Sequence, residues 1–200
     1  MVIKKLVLGI LHTNCYFIVN NGQCIIIDPA TDASRIIEYA KSLNAEIKAV
    51  ILTHGHFDHV GACANLQKNG IKIYVSRIDG EVLKENPVLL GLRKNMFFVP
   101  DYYLDDGDEI KLIGLNIKCI LTSGHTEGSM SYLIEDNLFC GDTIFAGGIY
   151  GRCDLYSGNY ENIKHSIKDV IFSLDENISL FCGHGKESVI KWEKFMLSYL

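Results

Sequence analysis

Hydrophobic positions along the chain follow the period of β-strands and then that of α-helices. In the first half, alternation of apolar and polar residues predicts strands at residues 2–10, 15–19, 24–27, 48–52 and 71–76. Asn20-Asn21-Gly22 predicts a tight turn between the second and third of them. Apolar spacings of three and four predict helices at residues 33–43 and 58–68, the first capped by Asp32 and the second ended by Asn69-Gly70.

The second half of the chain returns to strands and then to helices. Strands are predicted at residues 109–121, 130–135, 137–140 and 178–182, and helices at residues 160–174 and 187–199. Residues 79–98 read as irregular or helical, without defined bounds. Strands followed by helices, twice over, predict an α/β fold in which two sheets lie between helices within one domain, residues 1–200.

Composition narrows the classes of protein that this chain can belong to. Its 200 residues are 48% hydrophobic with a formal net charge of -5, which argues against a nucleic-acid or anionic-membrane partner. No apolar stretch approaches the roughly 18 residues of a membrane span, and MVIKKLVLGILHTN is interpreted as a first strand rather than a signal peptide. Seven scattered cysteines without a CxxC pair predict reduced, buried thiols and a cytoplasmic protein.

The densest chemistry lies in "THGHFDH", residues 53–59, directly after a predicted strand. Histidines two positions apart do not converge on a helix, but they can point to one side of a loop that leaves a strand. His54 and His56 are therefore expected to converge, with Gly55 allowing a tight backbone path, whereas Asp58 and His59 begin the next helix and aim elsewhere. The arrangement suits two neighbouring ions of zinc, iron or manganese.

Three further candidate ligands each follow a predicted strand in a glycine-containing turn. They are His125 in "TSGHTEGS", Asp142 in "FCGDTIF" and His184 in "FCGHGKE". Any one of them alone would be read as a turn or capping residue, but their combination with the HxHxDH motif predicts a metal site at the loop edge of a sheet. His12 and His165 are read as an edge-strand terminus and a polar helix face, and no cysteine falls within the motif.

These motifs resemble the metallo-β-lactamase-fold superfamily, in which "THGHFDH", "SGHTEGS", "GDTIF" and "GHG" occur in this order and rough spacing. The nearest resemblance within it is to the small bacterial glyoxalase II-like hydrolases, through "FAGGIYGRCDLYSGNY" and "GHGKESVIKWEK". The resemblance implies a four-layer αββα sandwich. Two departures are visible: Ser123-Gly124 and Glu127 surround His125 where the family usually has prolines, and no counterpart of the glutathione-holding helical domain of larger glyoxalase II enzymes follows, which leaves glutathione specificity open.

The resemblance also implies roles for individual residues. It puts His54, His56 and His125 on one divalent metal ion, zinc first, and Asp58, His59 and His184 on a second. Asp142 bridges the two ions together with a water or hydroxide, and Asp58 and Asp142 are the candidate catalytic residues. Arg152, with Tyr150 and Asp154 beside it, is expected to meet a substrate carboxylate.

Several reactions remain open for such a site. A small-molecule acyl-thiol of the hydroxyacyl-glutathione type is favoured, because a thiolate departs without a proton donor whereas an amide nitrogen must be protonated. A lactone hydrolase and a persulfide dioxygenase with one iron are the alternatives. A di-iron oxygen or nitric oxide reductase is rejected, because His56 stands where its HxExD motif has Glu, and a metal-free binding module would leave ionisable groups buried and unpaired. The chain is expected to be a monomer or a homodimer.

Overall fold

A computed structural model describes residues 1–200 and contains two six-stranded sheets. In the first sheet the strands stand in chain order, with β1 to β3 antiparallel and β3 to β6 parallel. Parallel strands covered on both faces read as continuous apolar runs, as "CIII" in β3 does. The strands are β1 (Val2–Leu8), β2 (Thr13–Asn20), β3 (Gln23–Ile27), β4 (Glu46–Ile51), β5 (Lys72–Ser76) and β6 (Tyr102–Leu104).

The second sheet has the strand order β14-β13-β10-β9-β8-β7, with one parallel pair between β10 and β13. A two-stranded hairpin, β11 with β12, lies apart from it. The strands are β7 (Glu109–Leu112), β8 (Leu115–Leu121), β9 (Met130–Ile134), β10 (Asn137–Gly141), β11 (Ile144–Phe145), β12 (Ile149–Tyr150), β13 (Ser179–Cys182) and β14 (Ser188–Val189).

Six short α-helices and four other helical segments cover the outer faces of the sheets. The α-helices are α1 (Ala33–Ser42), α2 (Phe57–Val60), α3 (Cys63–Lys68), α4 (Arg77–Glu85), α5 (Tyr160–His165) and α6 (Ile190–Met196). The 3-10 segments are Pro87–Leu90, Lys94–Met96 and Ile171–Ser173, and Ser166–Val170 is a π-helical segment.

Three hydrophobic clusters separate four layers. The central cluster joins the facing sides of the two sheets, where the ring of Tyr16 meets Phe139 edge to face at 5.4 Å. A second cluster lies between the first sheet and helices α1 and α3, and a third lies between the second sheet and the helical segments that follow Tyr160. The predicted α/β sandwich of two sheets between helices is confirmed.

The helix predicted at residues 58–68 is wrong in one respect, because it is divided into α2 and α3. The N–H group of Ala62 donates to the carbonyl of Pro29 at 3.0 Å instead of continuing the helix. A Cβ atom at Gly61 would lie 2.3 Å from the carbonyl oxygen of Ala30. The chain is therefore packed too closely against the loop after β3 for one regular helix to run through.

Other predicted bounds also change. The strand predicted at residues 109–121 is a hairpin, because Ile113 and Gly114 both have positive φ and form a tight turn. The helix predicted at residues 160–174 passes from α5 through π and 3-10 segments, and the helix predicted at residues 187–199 begins only at Ile190, after β14. The unassigned residues 79–98 contain the rest of α4, which begins at Arg77, and two 3-10 segments.

No helix combines the length and the apolar character that crossing a membrane requires. All seven cysteines are free thiols, and six of them are buried.

Candidate metal centre

All seven predicted ligands converge at one edge of the sandwich, beyond the carboxyl ends of their strands. His54 and His56 leave β4, and Asp58 and His59 follow in α2. The other three side chains come from the second sheet, where His125 follows β8, Asp142 follows β10 and His184 follows β13. Convergence of strand ends from both sheets is what brings together residues that are up to 130 positions apart. We call these seven residues the ligand cluster.

One half of the ligand cluster consists of histidines alone. Ligand atoms of His54, His56 and His125 all lie within 4.8 Å of one another. His56 Nδ1 and His125 Nε2 are 2.8 Å apart. This half therefore has the spacing of a site for one ion.

The other half contains Asp58, His59 and His184, whose ligand atoms also lie within 4.8 Å of one another. Asp142 stands between the two halves. Its Oδ1 is 3.4 Å from His59 Nε2, and its Oδ2 is 3.3 Å from His184 Nε2 and 3.6 Å from His125 Nε2. Asp142 therefore contacts histidines of both halves.

Asp28 determines which ring nitrogens of two histidines face the cluster. Thr53 donates its hydroxyl to Asp28 Oδ2 at 2.6 Å, so the Thr53 oxygen accepts from His54 Nδ1 at 3.1 Å. His59 Nδ1 donates directly to Asp28 Oδ2 at 2.9 Å. The Nε2 atoms of His54 and His59 therefore carry lone pairs that are directed into the cluster, as metal-ligating imidazoles with a second-sphere carboxylate do.

Backbone carbonyls orient two more histidines in the same way. His125 Nδ1 donates to the carbonyl of Arg152 at 2.8 Å, and His184 Nδ1 donates to the carbonyl of Leu11 at 3.0 Å. Their Nε2 atoms then face Asp142. Four of the five clustered histidines thus present Nε2, and only His56 presents Nδ1.

The donor set fits metal ions better than it fits an empty polar pocket. His54 Nε2 and Asp142 Oδ1 are buried without a hydrogen-bond partner, which is costly for polar atoms in a protein interior. His56 Nδ1 and His125 Nε2 lie 2.8 Å apart, so a proton on His56 Nδ1 can bridge them when no metal is bound. A cation placed in the cluster would give His54 Nε2 and Asp142 Oδ1 a partner, and imidazole with carboxylate suits zinc, iron or manganese.

Electrostatics divides the cluster into a neutral half and a charged half. Burial lowers the pKa of His56 to about 3, with His125 adding to the effect, and burial also lowers the pKa values of His54 and His125. Neutral imidazole is the form that binds metal. The histidine-only half is therefore ready to ligate at neutral pH.

In the charged half, burial alone would disfavour the charged form of each side chain, but the attraction between opposite charges outweighs this effect. Hydrogen bonds to Asp142 and Asp58 raise the pKa of His184 to about 10. The charges of His59 and the hydrogen bond from His184 hold the pKa of Asp142 well below its usual range, and His184 lowers that of Asp58. Without metal, protons on His59 and His184 supply the positive charge that these carboxylates require.

A family model described as the metallo-beta-lactamase superfamily matches residues 8–184. The chain belongs to this superfamily. The hydroxyacylglutathione hydrolase GloC of Haemophilus influenzae is 35% identical over 190 residues, which cover 90% of this chain and 89% of GloC. The crystal structure of the BLEG-1 B3 metallo-beta-lactamase has a TM-score of 0.90 at 30% identity and covers 100% of this chain and 99% of that one. The structure of TTHA1623 in a di-iron-bound form has a TM-score of 0.86 at 25% identity and covers 98% and 100%.

Membership in the metallo-beta-lactamase superfamily identifies the chain as a metal-dependent hydrolase and confirms the resemblance seen in its motifs. The four-layer αββα architecture is that of its structural neighbours. Neither the metal nor the substrate follows from membership.

Two buried carboxylates that support the cluster were not predicted from the sequence. Asp28 belongs to none of the sequence motifs, although it follows β3 just as the ligands follow their strands. Asp79, in the first turn of α4, accepts from Gly55 N at 2.8 Å, from the Thr126 hydroxyl at 2.9 Å and from Gly128 N at 3.1 Å. It thereby ties the loop that carries His54 and His56 to the loop that carries His125.

A cavity of about 520 Å³ opens above the cluster. Of the ligands, His56, Asp58, His125, Asp142 and His184 line it, whereas His54 and His59 lie beneath them and are buried.

The three predicted substrate-binding residues are placed differently from one another. Arg152 lines the cavity, but its guanidinium binds Asp154 through two hydrogen bonds of 2.7 Å, and both side chains are exposed. Tyr150 does not line the cavity, because in β12 its ring lies beside Tyr160, with the ring centroids 6.1 Å apart.

Proposed function

We propose that the protein hydrolyses thioesters with the help of two divalent metal ions held by the ligand cluster. His54, His56 and His125 would hold one ion, Asp58, His59 and His184 the other, and Asp142 both. The observation that carries this proposal is that two ligand atoms, His54 Nε2 and Asp142 Oδ1, are buried in the cluster without a hydrogen-bond partner. Zinc is the metal we expect first, with iron or manganese as the alternatives.

Divalent ions supply Lewis acidity and lower the pKa of water from 15.7 to about 7. The protein's own groups do the rest of the work that we propose. Asp58 and Asp142 reach the cavity surface with one carboxylate each and would orient an attacking water by accepting its hydrogen bonds. Asp28 and the carbonyls of Leu11 and Arg152 keep the imidazoles in the tautomers that leave their inner nitrogens unprotonated.

The absence of a strong general acid at the cavity favours a substrate whose leaving group needs no proton, such as a thioester. Besides the ligand cluster, the only side chains lining the cavity that carry an N–H or O–H group are Arg152 and Tyr156, and arginine and tyrosine are weak acids. A thiol with a pKa near 8.5 leaves as a thiolate, whereas an amine leaving group needs a proton. The similarity to a hydroxyacylglutathione hydrolase supports the same choice and makes hydroxyacyl-glutathione the first thioester to test.

The test combines metal content with thiol release. Protein purified without added metal or chelator should carry about two ions per chain, and it should release thiol from acyl-thiol substrates in a chromogenic thiol assay. His165→Ala serves as a matched control for His125→Ala, because His165 is exposed and bonded only to Asp169. One iron per chain with sulfite formed from a persulfide would instead indicate a dioxygenase. If the protein carries two ions but hydrolyses only lactones, the substrate is a lactone and not a thioester.

A further inference from the structure

Large apolar side chains surround the mouth of the cavity above the ligand cluster. We call them the apolar rim: Leu11, Phe57, Val88, Leu89, Leu155 and Tyr156. Each is exposed, from 38% for Phe57 to 62% for Val88. The three exposed leucines of the chain all belong to it. Exposed apolar residues are ordinary when scattered, but their concentration around one cavity marks a binding surface.

Four separate segments contribute to the apolar rim. Leu11 lies in the turn between β1 and β2, Phe57 begins α2, and Val88 and Leu89 lie in the 3-10 segment Pro87–Leu90. Leu155 and Tyr156 follow Arg152 in the loop before α5. Side chains that are distant in sequence thus enclose the ligand cluster from several sides, so a substrate whose carbonyl reaches the cluster must pass along them.

Close packing fixes the 3-10 segment Pro87–Leu90 relative to the loop that carries His54 and His56. Leu90 is buried, and a Cβ atom at Gly55 would lie 2.6 Å from its Cδ1. Gly91, at φ +80°, stands against the ring of Phe57, where a Cβ atom would lie 2.9 Å from Cδ1. The apolar rim is therefore built on the loop between His54 and His56 and is not the tip of an unsupported loop.

Charge at the cavity is already compensated. Arg152 is the only lysine or arginine that lines it, and Asp154 binds the Nε–Nη2 edge of its guanidinium. A carboxylate on the substrate would have to compete with Asp154 for this side chain and would meet leucines nearby. An uncharged, apolar group meets no such competition, and its transfer from water to the apolar rim is favourable.

We propose that the apolar rim binds an aliphatic or aromatic acyl chain, so that the substrates are apolar acyl thioesters and not small hydroxyacyl ones. This inference rests on the proposed thioester hydrolysis and specifies its substrate class. A cavity of about 520 Å³ falls within the range of roughly 300–1,000 Å³ in which small organic molecules bind. The site then selects its substrates by the chain length of the acyl group.

The experiment measures kcat/KM of the metal-loaded enzyme for acetyl, butanoyl, hexanoyl and octanoyl thioesters of N-acetylcysteamine, with lactoyl-glutathione as the comparison. Burial of each added CH2 group should raise kcat/KM about two- to fourfold, and hexanoyl should exceed lactoyl. Val88→Asn and Leu89→Asn should each reduce this increment. Val99→Asn is the matched control, because Val99 is an equally exposed valine outside the cavity and its replacement should leave the increment unchanged.

A second readout separates failure of this inference from failure of the proposed function. Calorimetric titration with acetate, hexanoate and octanoate measures binding along the apolar rim without turnover. Affinity that rises with chain length and falls in Leu89→Asn supports the inference even where no thioester is hydrolysed, an outcome that would defeat only the proposed reaction. Hydrolysis at a rate independent of chain length, or a preference for lactoyl-glutathione, would overturn the inference and leave thioester hydrolysis standing.

Discussion

The ligand cluster and the apolar rim lie on either side of one cavity and are built in opposite ways. Histidines of the cluster donate hydrogen bonds to Asp28 and to two backbone carbonyls, and Asp79 accepts hydrogen bonds from the loops that carry His54, His56 and His125. The rim lies on turns and short helical segments, and its side chains are exposed and make no hydrogen bonds with each other. The candidate ligands thus follow strands, whereas the rim side chains lie on turns and short helical segments, so a rim side chain can be replaced without removing a ligand.

Removing the carboxylate shared by both halves of the cluster should have the largest effect. Asp142→Asn keeps the shape but removes the charge that faces His59, His125 and His184. Metal stabilisation of the transition state amounts to several kcal/mol, so we expect kcat/KM to fall by about 10³-fold or more and the metal content to fall below two ions per chain.

Asp136→Asn is the matched control for that change. Asp136 is exposed and precedes β10, whereas Asp142 follows the same strand, so the control makes the same substitution at its opposite end. Mass spectrometry of the bound metal and a thiol-release assay give the two readouts. Full metal content and full activity in Asp142→Asn would show that the ligand cluster is not the catalytic site.

The next effect in size tests whether the supports of the cluster matter as much as its ligands. Asp28→Asn loses either the two hydrogen bonds that the Thr53 hydroxyl and His59 Nδ1 donate to Oδ2 or the one that the Thr53 backbone N–H donates to Oδ1, because an amide has only one acceptor oxygen. Loss of such a second-sphere partner costs about 10–100-fold in metal affinity, which a chromogenic chelator competition measures. Asp32→Asn is the control, since both aspartates lie on one loop with left-handed φ values of 52° and 58°. Equal affinity in both variants would contradict the orienting role.

Much of the cluster could be predicted because its signals are local. A histidine or aspartate after an apolar run and beside glycine is visible in the sequence at His54, His125, Asp142 and His184. The sheet order that brings the four strand ends to one edge is not visible there, and the resemblance to a superfamily supplied it. Asp28 could not be predicted as part of the site, because Asp28-Pro29 after an apolar run is typical of an ordinary turn.

The apolar rim could not be predicted in this way. Its members come from four segments, and exposed leucines carry no motif or period. Residues 79–98 have no clear apolar period, although they contain Asp79, Val88 and Leu89. The resemblance predicts Arg152 near the substrate, but the sequence does not show that Asp154 binds its guanidinium.

A pH titration distinguishes the ligand cluster from the apolar rim in the metal-free protein. Only the cluster contains a histidine with a raised pKa beside a carboxylate with a lowered pKa. The pKa of His184 is raised to about 10 by Asp142 and Asp58. A raised folded pKa stabilises the fold fully below the ordinary value of about 6.5, and that stability is lost as pH rises toward 10. We therefore expect the Tm of chelator-treated protein to fall from pH 6.5 to 10 and this slope to shrink in His184→Gln but not in His165→Gln. An identical slope in all three proteins would show that the cluster does not titrate in this way.

The smallest effect should come from Arg152, the charged residue at which cluster and rim meet. Because Asp154 already holds its guanidinium in the exposed mouth of the cavity, Arg152→Ala should change kcat/KM for hexanoyl-N-acetylcysteamine by no more than about threefold. Asp154→Ala releases the guanidinium and should raise activity toward a thioester with a free carboxylate, such as lactoyl-glutathione, relative to the hexanoyl ester. A large loss for the glutathione thioester in Arg152→Ala, with no gain in Asp154→Ala, would mean that Arg152 exchanges Asp154 for the substrate. The division between a charged ligand cluster and an uncharged apolar rim would then be wrong at Arg152.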